Sequence, residues 1–417
     1  MPDASYRPRL VEPLLAVLGQ ELPALVVVGP RAVGKTTTVA RSASTTVRLD
    51  VPAEAAAFAA DPDAALRGLD EPVLLDEWQA VPGVLAAVAR SVNVDARPGR
   101  FVLTGSVRPE IDDSPWPATG RLQRVVMYPM TVREQLRSSG RPTFVDRVVG
   151  GAHLAGPARP TDLRAYVDLA IAGGFPRPAL ALEGTRVRSS WFDSYVTDLL
   201  THDVGQLEEP RTRRRDPVRM RRYFEAYALN SAGVLDHKTI YDSAGVRRET
   251  ADAYEDLLLR LFVVDRVPAW TSNRLKRLVA QPKRYVIDSG LLAHVLRLDT
   301  NGVLRDGDLL GRVLDTFVAA QLRAELEPSE ERPRMFHLRT KGGEHEVDLI
   351  LELGGFRVIA VEVKAGAAPD ARDAQHLSWL RDSLGDRFVG GVVLHTGPGV
   401  YSLGDRVQAA PIGSLWS

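Results

Sequence analysis

The sequence predicts an α/β fold in more than one domain, and three observations carry that class. Between residues 10 and 137, short apolar runs alternate with amphipathic stretches, the pattern of a parallel sheet covered by helices on both faces. Residues 163–300 read mostly as amphipathic helices, with two short extended pieces near their end. From about residue 303 a helix is followed by strand-like segments rich in Val, Ile and Leu, which reads as a separate α/β domain. At 417 residues the chain is also too long for one ordinary core.

In the first region the apolar runs are LVVVG at 25–29, TTVRLDV at 45–51, PVLLDE at 72–77 and RFVLTGS at 100–106. They define a domain over residues 1–150, and GGAHLAGPARPTD at 150–162 has the Gly and Pro content of a junction. A helical connector is expected over 151–215. Over 216–302 a short helix, a turn at Gly245 and a longer amphipathic helix precede the extended pieces FVVDRVPAW and KRYVIDSG, an order that suits a winged helix. The last domain, 303–417, opens on the helix VLDTFVAAQLRAEL and continues with EVDLILELGG, FRVIAVEVKAG, a helix near 370–384 and FVGGVVLHTG.

Composition narrows the function. The 53 Lys and Arg balance 53 Asp and Glu, so the molecule as a whole is no general polyanion binder, and a nucleic-acid surface is expected only as a local patch. There is no cysteine, which excludes disulfides, thiolate zinc sites and cysteine nucleophiles. The polar start MPDASYRPRL and the lack of any run of about 18 apolar residues point to a cytoplasmic chain with no membrane partner.

Gly29-Pro30-Arg31-Ala32-Val33-Gly34-Lys35-Thr36 fits GxxxxGK[ST], follows an apolar strand and opens a helix. Glycines at those places let backbone N–H groups curl around phosphate oxygens, and the helix N-terminus adds partial positive charge. Residues Gly29 to Thr37 therefore form the expected ATP cradle, with Lys35 reaching the β- and γ-phosphates and Thr36 ligating Mg²⁺. The strand Val73-Leu74-Leu75-Asp76-Glu77 ends in two acids, Asp76 for the magnesium shell and Glu77 to polarise the attacking water. A third strand ends in Thr104-Gly105-Ser106; Thr104 is the first candidate to sense the γ-phosphate and Ser106 the second. A small-molecule kinase using the same loop is disfavoured by the paired acids and the extra domains.

Near the other end, Asp348 and the pair Glu362 and Lys364 give D…ExK on two neighbouring strands. Residues 362 and 364 share a face because strand side chains alternate. Asp348 and Glu362 are candidates to hold Mg²⁺ or Mn²⁺, with Lys364 beside a scissile phosphate.

Taken together, GPRAVGKTT, LLDEWQAVPG, RFVLTGS, GRLQRVVMYPMTVREQL and GGFP resemble the prokaryotic AAA+ ATPases fused to a C-terminal domain of unknown function. The likeness extends through WFDSYVTDLLTHDV, RLVAQPKRYVIDSGLL and RTKGGEHEVDLILE…VEVKA, nearly the whole chain. It implies Mg²⁺-dependent ATP hydrolysis in a homo-oligomer or with a protein partner, the site being completed by a neighbouring subunit's arginine. Arg121 is the better positional match and Arg124 the alternative; both are also readable as surface residues. The D…ExK strands resemble the PD-(D/E)XK nucleases, whose restriction-endonuclease-like core often adds an acid from the preceding helix. Asp315 stands at that place, and Gln375 is a weaker candidate on the following helix. Such a core can be an active nuclease or can keep the fold without the chemistry.

Residues 211–222, RTRRRDPVRMRR, carry seven arginines, and Arg247-Arg248 begin the longer helix of the winged segment. Such a run can be a solvated helix end or a phosphate-binding patch, and between an ATPase and a nuclease-like domain the second reading gains, with DNA preferred to RNA. Two functions are expected to compete. One is an ATP-hydrolysing protein acting on or regulated by nucleic acid, with metal-dependent nuclease capacity. The other is an ATP-gated regulatory protein whose nuclease-like domain is inactive.

Overall fold

A computed structural model describes residues 6–108, 120–159, 161–204, 216–272 and 281–417. The chain divides into two compact units, residues 1–128 with 258–262, and residues 129–257 with 263–417.

The first unit is built on five strands: β1 (Ala24–Val28), β2 (Thr45–Arg48), β3 (Val73–Asp76), β4 (Phe101–Gly105) and β5 (Gln123–Val126). Their order is β2-β3-β4-β1-β5 and every pairing is parallel, which requires a crossover between consecutive strands. β1 and β3 are buried at every position, so their continuous apolar runs follow from being covered on both faces. Each fully buried Val or Leu there contributes about 1.5–3 kcal/mol. The amphipathic helix Gly83–Val94 lays Val84, Leu85, Val88 and Val92 into this core. Parallel strands place their C-terminal ends at one edge, which is where β1 meets the glycine-containing loop from Gly29 to Gly34, β3 ends in Asp76 and β4 ends in Thr104 and Gly105.

In the second unit, helices Pro217–Leu229, His237–Ala244 and Arg248–Arg260 lead to an antiparallel ribbon of β6 (Val264–Val267) and β7 (Lys283–Val286). The last turn of the third helix belongs to the first unit. Gly245 closes the second helix at φ 66°, a left-handed position that costs glycine nothing. Of the basic run, residues 211–215 lie outside the described residues, while Asp216 caps the helix that carries Arg219, Arg221 and Arg222.

Beside further helices, among them Leu163–Ala172, Thr185–Asp198 and Ser289–Val295, this unit holds a mixed six-stranded sheet: β8 (Arg334–Arg339), β9 (Glu346–Glu352), β10 (Val358–Val363), β11 (Phe388–His395), β12 (Tyr401–Gly404) and β13 (Val407–Pro411). Their order is β12-β13-β11-β10-β9-β8. The helix Gly307–Glu325 starts at Asp306, whose carboxylate accepts from Asp308 and Leu309 N–H groups, and its buried positions run from Val313 to Glu325. Helix Gln375–Leu384 buries Leu377, Leu380 and Leu384 in the core of this sheet. No helix among the described residues is long and apolar enough to cross a membrane.

Candidate functional site

The loop after β1 passes through left-handed backbone at Ala32 (φ 61°) and Gly34 (φ 95°), which turns successive N–H groups inward. A Cβ at Gly29 would come 2.1 Å from the Met127 carbonyl oxygen, so only glycine fits where the loop leaves the strand. Lys35 opens the helix Lys35–Val39 and is 3% exposed. Its Nζ donates to the carbonyls of Gly29 (3.0 Å) and Pro30 (2.9 Å) and to Ser106 Oγ (3.0 Å). Burial pulls the Lys35 ammonium down to about 8, although the Glu77 and Asp76 carboxylates oppose the shift.

Across the strand ends, Thr36 Oγ1 donates to Asp76 Oδ1 at 2.7 Å, and Thr104 Oγ1 donates to the same oxygen. Ser106 Oγ lies 3.0 Å from Glu77 Oε1, so this hydroxyl links Lys35 to Glu77. Glu77 sits at φ 55°, a strained conformation for a residue with a side chain, and its other oxygen accepts from Gln79 Nε2. Thr104 is fully buried and turned to Asp76, whereas Ser106 bridges the lysine and the second acid. The glycine cradle and the paired Thr36 and Asp76 oxygens suit a nucleotide and a hard cation, which those two side chains would hold. Gln79 and the bridging role of Ser106 escape a strand-by-strand reading, because both depend on how turns fold back after the strands.

Arg121 is exposed and donates from Nε to Asn93 Oδ1 at 2.6 Å, and Arg124 lies on β5. Neither belongs to the hydrogen-bonded group around Lys35 and Glu77. Arg31 follows the first loop residues and is half-buried.

A second cluster forms in the C-terminal sheet. Leu349 pairs with Val361, so Asp348 and Glu362 lie one position further along β9 and β10 and meet. Asp315 reaches them from helix Gly307–Glu325. A residue not foreseen, Lys283 of β7, stands between the acids: Nζ is 2.5 Å from Asp315 Oδ2 and 2.9 Å from Asp348 Oδ1. Tyr285, two residues on and so on the same strand face, donates its hydroxyl to Asp315 Oδ1 at 2.9 Å. Asp348 Oδ2 accepts from the Val363 N–H at 3.0 Å, and Lys364 Nζ donates to Glu362 Oε1 at 2.8 Å.

Burial pushes the Asp315 carboxyl up to about 7 despite Lys283, while burial and the Asp348 charge push Glu362 up to about 8. Burial alone would raise Asp348 and lower Lys283. Asp315 first and Asp348 second raise the lysine, and Lys283 with the Val363 N–H lowers Asp348, which reverses both. The three acids, Lys364, Arg312 and Arg339 line one cavity of about 400 Å³. Gln375 is exposed at the start of its helix and is not among the lining residues. Among the described residues no group of three or more His, Cys, Asp or Glu is placed to hold a metal ion, and between Asp315 and Asp348 stands the Lys283 ammonium.

Comparison with known proteins assigns the first region to a described family. A family model described as an AAA domain matches residues 21–136. Two models described as domains of unknown function match residues 163–302 (DUF8612) and 310–415 (DUF4143). The chain thus carries an AAA-type ATPase domain joined to domains of unknown function. Among curated relatives, Uncharacterized protein Rv2008c of Mycobacterium tuberculosis and Uncharacterized protein Mb2031c of Mycobacterium bovis are each 28% identical over 399 residues. That span is 94% of this chain and 81% of each relative.

Proposed function

We propose that the chain binds and hydrolyses ATP at the edge of its parallel sheet and acts on, or is regulated by, nucleic acid. The observation carrying the ATPase reading is the hydrogen-bonded group of Lys35, Ser106, Glu77, Asp76, Thr36 and Thr104 at the ends of β1, β3 and β4, its two halves joined by the Glu77 N–H donating to Thr104 Oγ1 at 3.3 Å. In this reading residues Gly29 to Thr37 cradle the triphosphate, Lys35 neutralises its terminal phosphates, and Thr36 with Asp76 holds Mg²⁺. Bound MgATP supplies the electrophilic phosphoryl group. Glu77 orients and polarises the attacking water, and Ser106, with Thr104 behind it, reports the γ-phosphate to Glu77. Arg121, being exposed, is the arginine offered to a neighbouring copy, with Arg124 as the alternative.

The nucleic-acid part rests on a cavity of about 540 Å³ lined by Arg219, Arg222, Arg247 and Thr250, with no acid among its described lining residues. It lies at the turn between the second and third helices of a helix-rich segment that ends in a two-stranded ribbon, the layout of a winged helix. Residues 1–150, 151–215, 216–302 and 303–417 are proposed as ATPase core, helical connector, winged helix and restriction-endonuclease-like domain. For that last domain the catalytically inactive state is the supported reading, because Lys283 neutralises the acids a catalytic metal would need. ATP turnover measured across single- and double-stranded DNA and RNA, with the metal varied, tests the whole. Stimulation by nucleic acid, greatest with DNA, is expected. Turnover indifferent to all of them, or stimulated only by a protein, would refute the nucleic-acid half.

A further inference from the structure

The acids of the C-terminal sheet are hard oxygen donors of the kind Mg²⁺ and Mn²⁺ prefer, drawn from a helix and two strands onto one cavity. Their geometry does not fit a metal as it stands. Both oxygens of Asp315 are engaged, by Lys283 and Tyr285, and both oxygens of Asp348 are engaged, by Lys283 and the Val363 N–H. The Lys283 side chain is 3% exposed, so its charge is balanced within the protein and not by solvent. A divalent ion bound between Asp315 and Asp348 would have to sit against this ammonium, and like charges at that range in a buried site repel strongly.

One oxygen is left over. Glu362 is 7% exposed, gives Oε1 to Lys364, and has Oε2 buried without a hydrogen-bond partner while lining the same cavity. A buried, unpaired carboxyl oxygen is costly, and its residue shares one cavity with the acids whose charge the lysine balances. It is the ligand a cation would find waiting if the lysine were gone.

We propose that Lys283 is a built-in cation standing in the place of a divalent metal, so that Asp315, Asp348 and Glu362 take up Mn²⁺ or Mg²⁺ only in the absence of the Lys283 charge. The ammonium and the metal are mutually exclusive occupants of one acid cluster. β7 sets this up by its period of two, which aims Lys283 and Tyr285 at Asp315 and turns Arg284 to Glu255. This inference does not depend on the ATPase reading.

The test is Mn²⁺ binding to the full nucleotide-free chain, by calorimetry and by thermal unfolding with and without Mn²⁺. The parent is compared with Asp348→Asn, Lys283→Met and the double variant; any Mn²⁺ at the phosphate loop is common to all four. Parent and Asp348→Asn are expected to bind alike. Lys283→Met is expected to bind an additional Mn²⁺ per chain and to gain melting temperature with it, and the double variant to lose both effects. Mn²⁺ binding by the parent that disappears in Asp348→Asn would overturn the proposal, as would no gain in Lys283→Met. Recovery of a poorly folded Lys283→Met by Mn²⁺ would support it. Should that variant fail to fold under either condition, Lys283→Gln decides by the same gain or its absence.

Discussion

Lys35 makes ATP affinity depend on pH in a way its burial fixes in advance. In the free protein burial holds the ammonium down to about 8, with Glu77 and Asp76 opposing the shift. Only the charged form pairs with phosphate, and bound phosphates raise the lysine's affinity for its proton, so binding takes up a proton once pH exceeds that value. Affinity is therefore flat below about pH 8 and falls about tenfold per unit above it. At pH 7.5 about three quarters of the lysines are charged and at pH 9 about a tenth, which weakens binding about eightfold, or about 1.3 kcal/mol. The interval lies above the last phosphate ionisation near pH 6, so the nucleotide's own charge is constant. Titration with a fluorescent ATP analogue between pH 7 and 9.5 reads this directly. Lys35→Arg, always charged, should bind with no such slope, and Glu77→Gln should move the midpoint down by removing the carboxylate that best supports the ammonium. An affinity in the parent that stays level to pH 9.5, or an equal slope in Lys35→Arg, would refute the reasoning.

Two further outcomes concern the second unit. Arg133 is 2% exposed, pairs with Glu325 at 2.8 Å and also donates to the Pro142 carbonyl at 2.8 Å. Arg133→Met strands a buried carboxylate and should cost about 3–5 kcal/mol in chemical denaturation, whereas a loss below about 1 kcal/mol would mean the pair is not closed in solution. Arg222→Ala with Arg247→Ala should weaken DNA binding and flatten its dependence on salt by about two phosphate contacts, measured by fluorescence anisotropy; an unchanged salt slope would remove this cavity from the DNA surface.

Much of the first unit is legible in the sequence because its central strands are buried on both faces and so read as apolar runs. β1, β3 and β4 announce themselves in this way, and the acids and hydroxyls that follow them fall at one edge because the strands are parallel. β5 was not foreseen as a strand. It lies at the sheet's edge with one exposed, two half-buried and a single buried position, so Gln123–Val126 lacks the unbroken apolar signal. Asp348 and Glu362 could be paired from sequence because strand periodicity and a tight connection bring them together. Lys283 could not. It sits 65 residues before Asp348, and a lysine in KRYVIDSG looks like any strand-end charge until the ribbon's register turns it onto Asp315. Long-range neutralisation of this kind leaves no local trace, which is why the acids suggested a metal and the structure supplies an ammonium. That Ser106 bonds Lys35 while Thr104 turns to Asp76 was equally hidden, since it depends on which hydroxyl the turn after β4 swings toward the lysine.

The central claim is that ATP is hydrolysed at the edge where Lys35 and Glu77 meet, and steady-state phosphate release with Mg²⁺ by the parent and by Glu77→Gln, alongside nucleotide binding by both, tests it most directly. Turnover is expected in the parent, and in Glu77→Gln retained nucleotide binding with turnover reduced on the order of a hundredfold or more. Parent-like turnover in Glu77→Gln would contradict it.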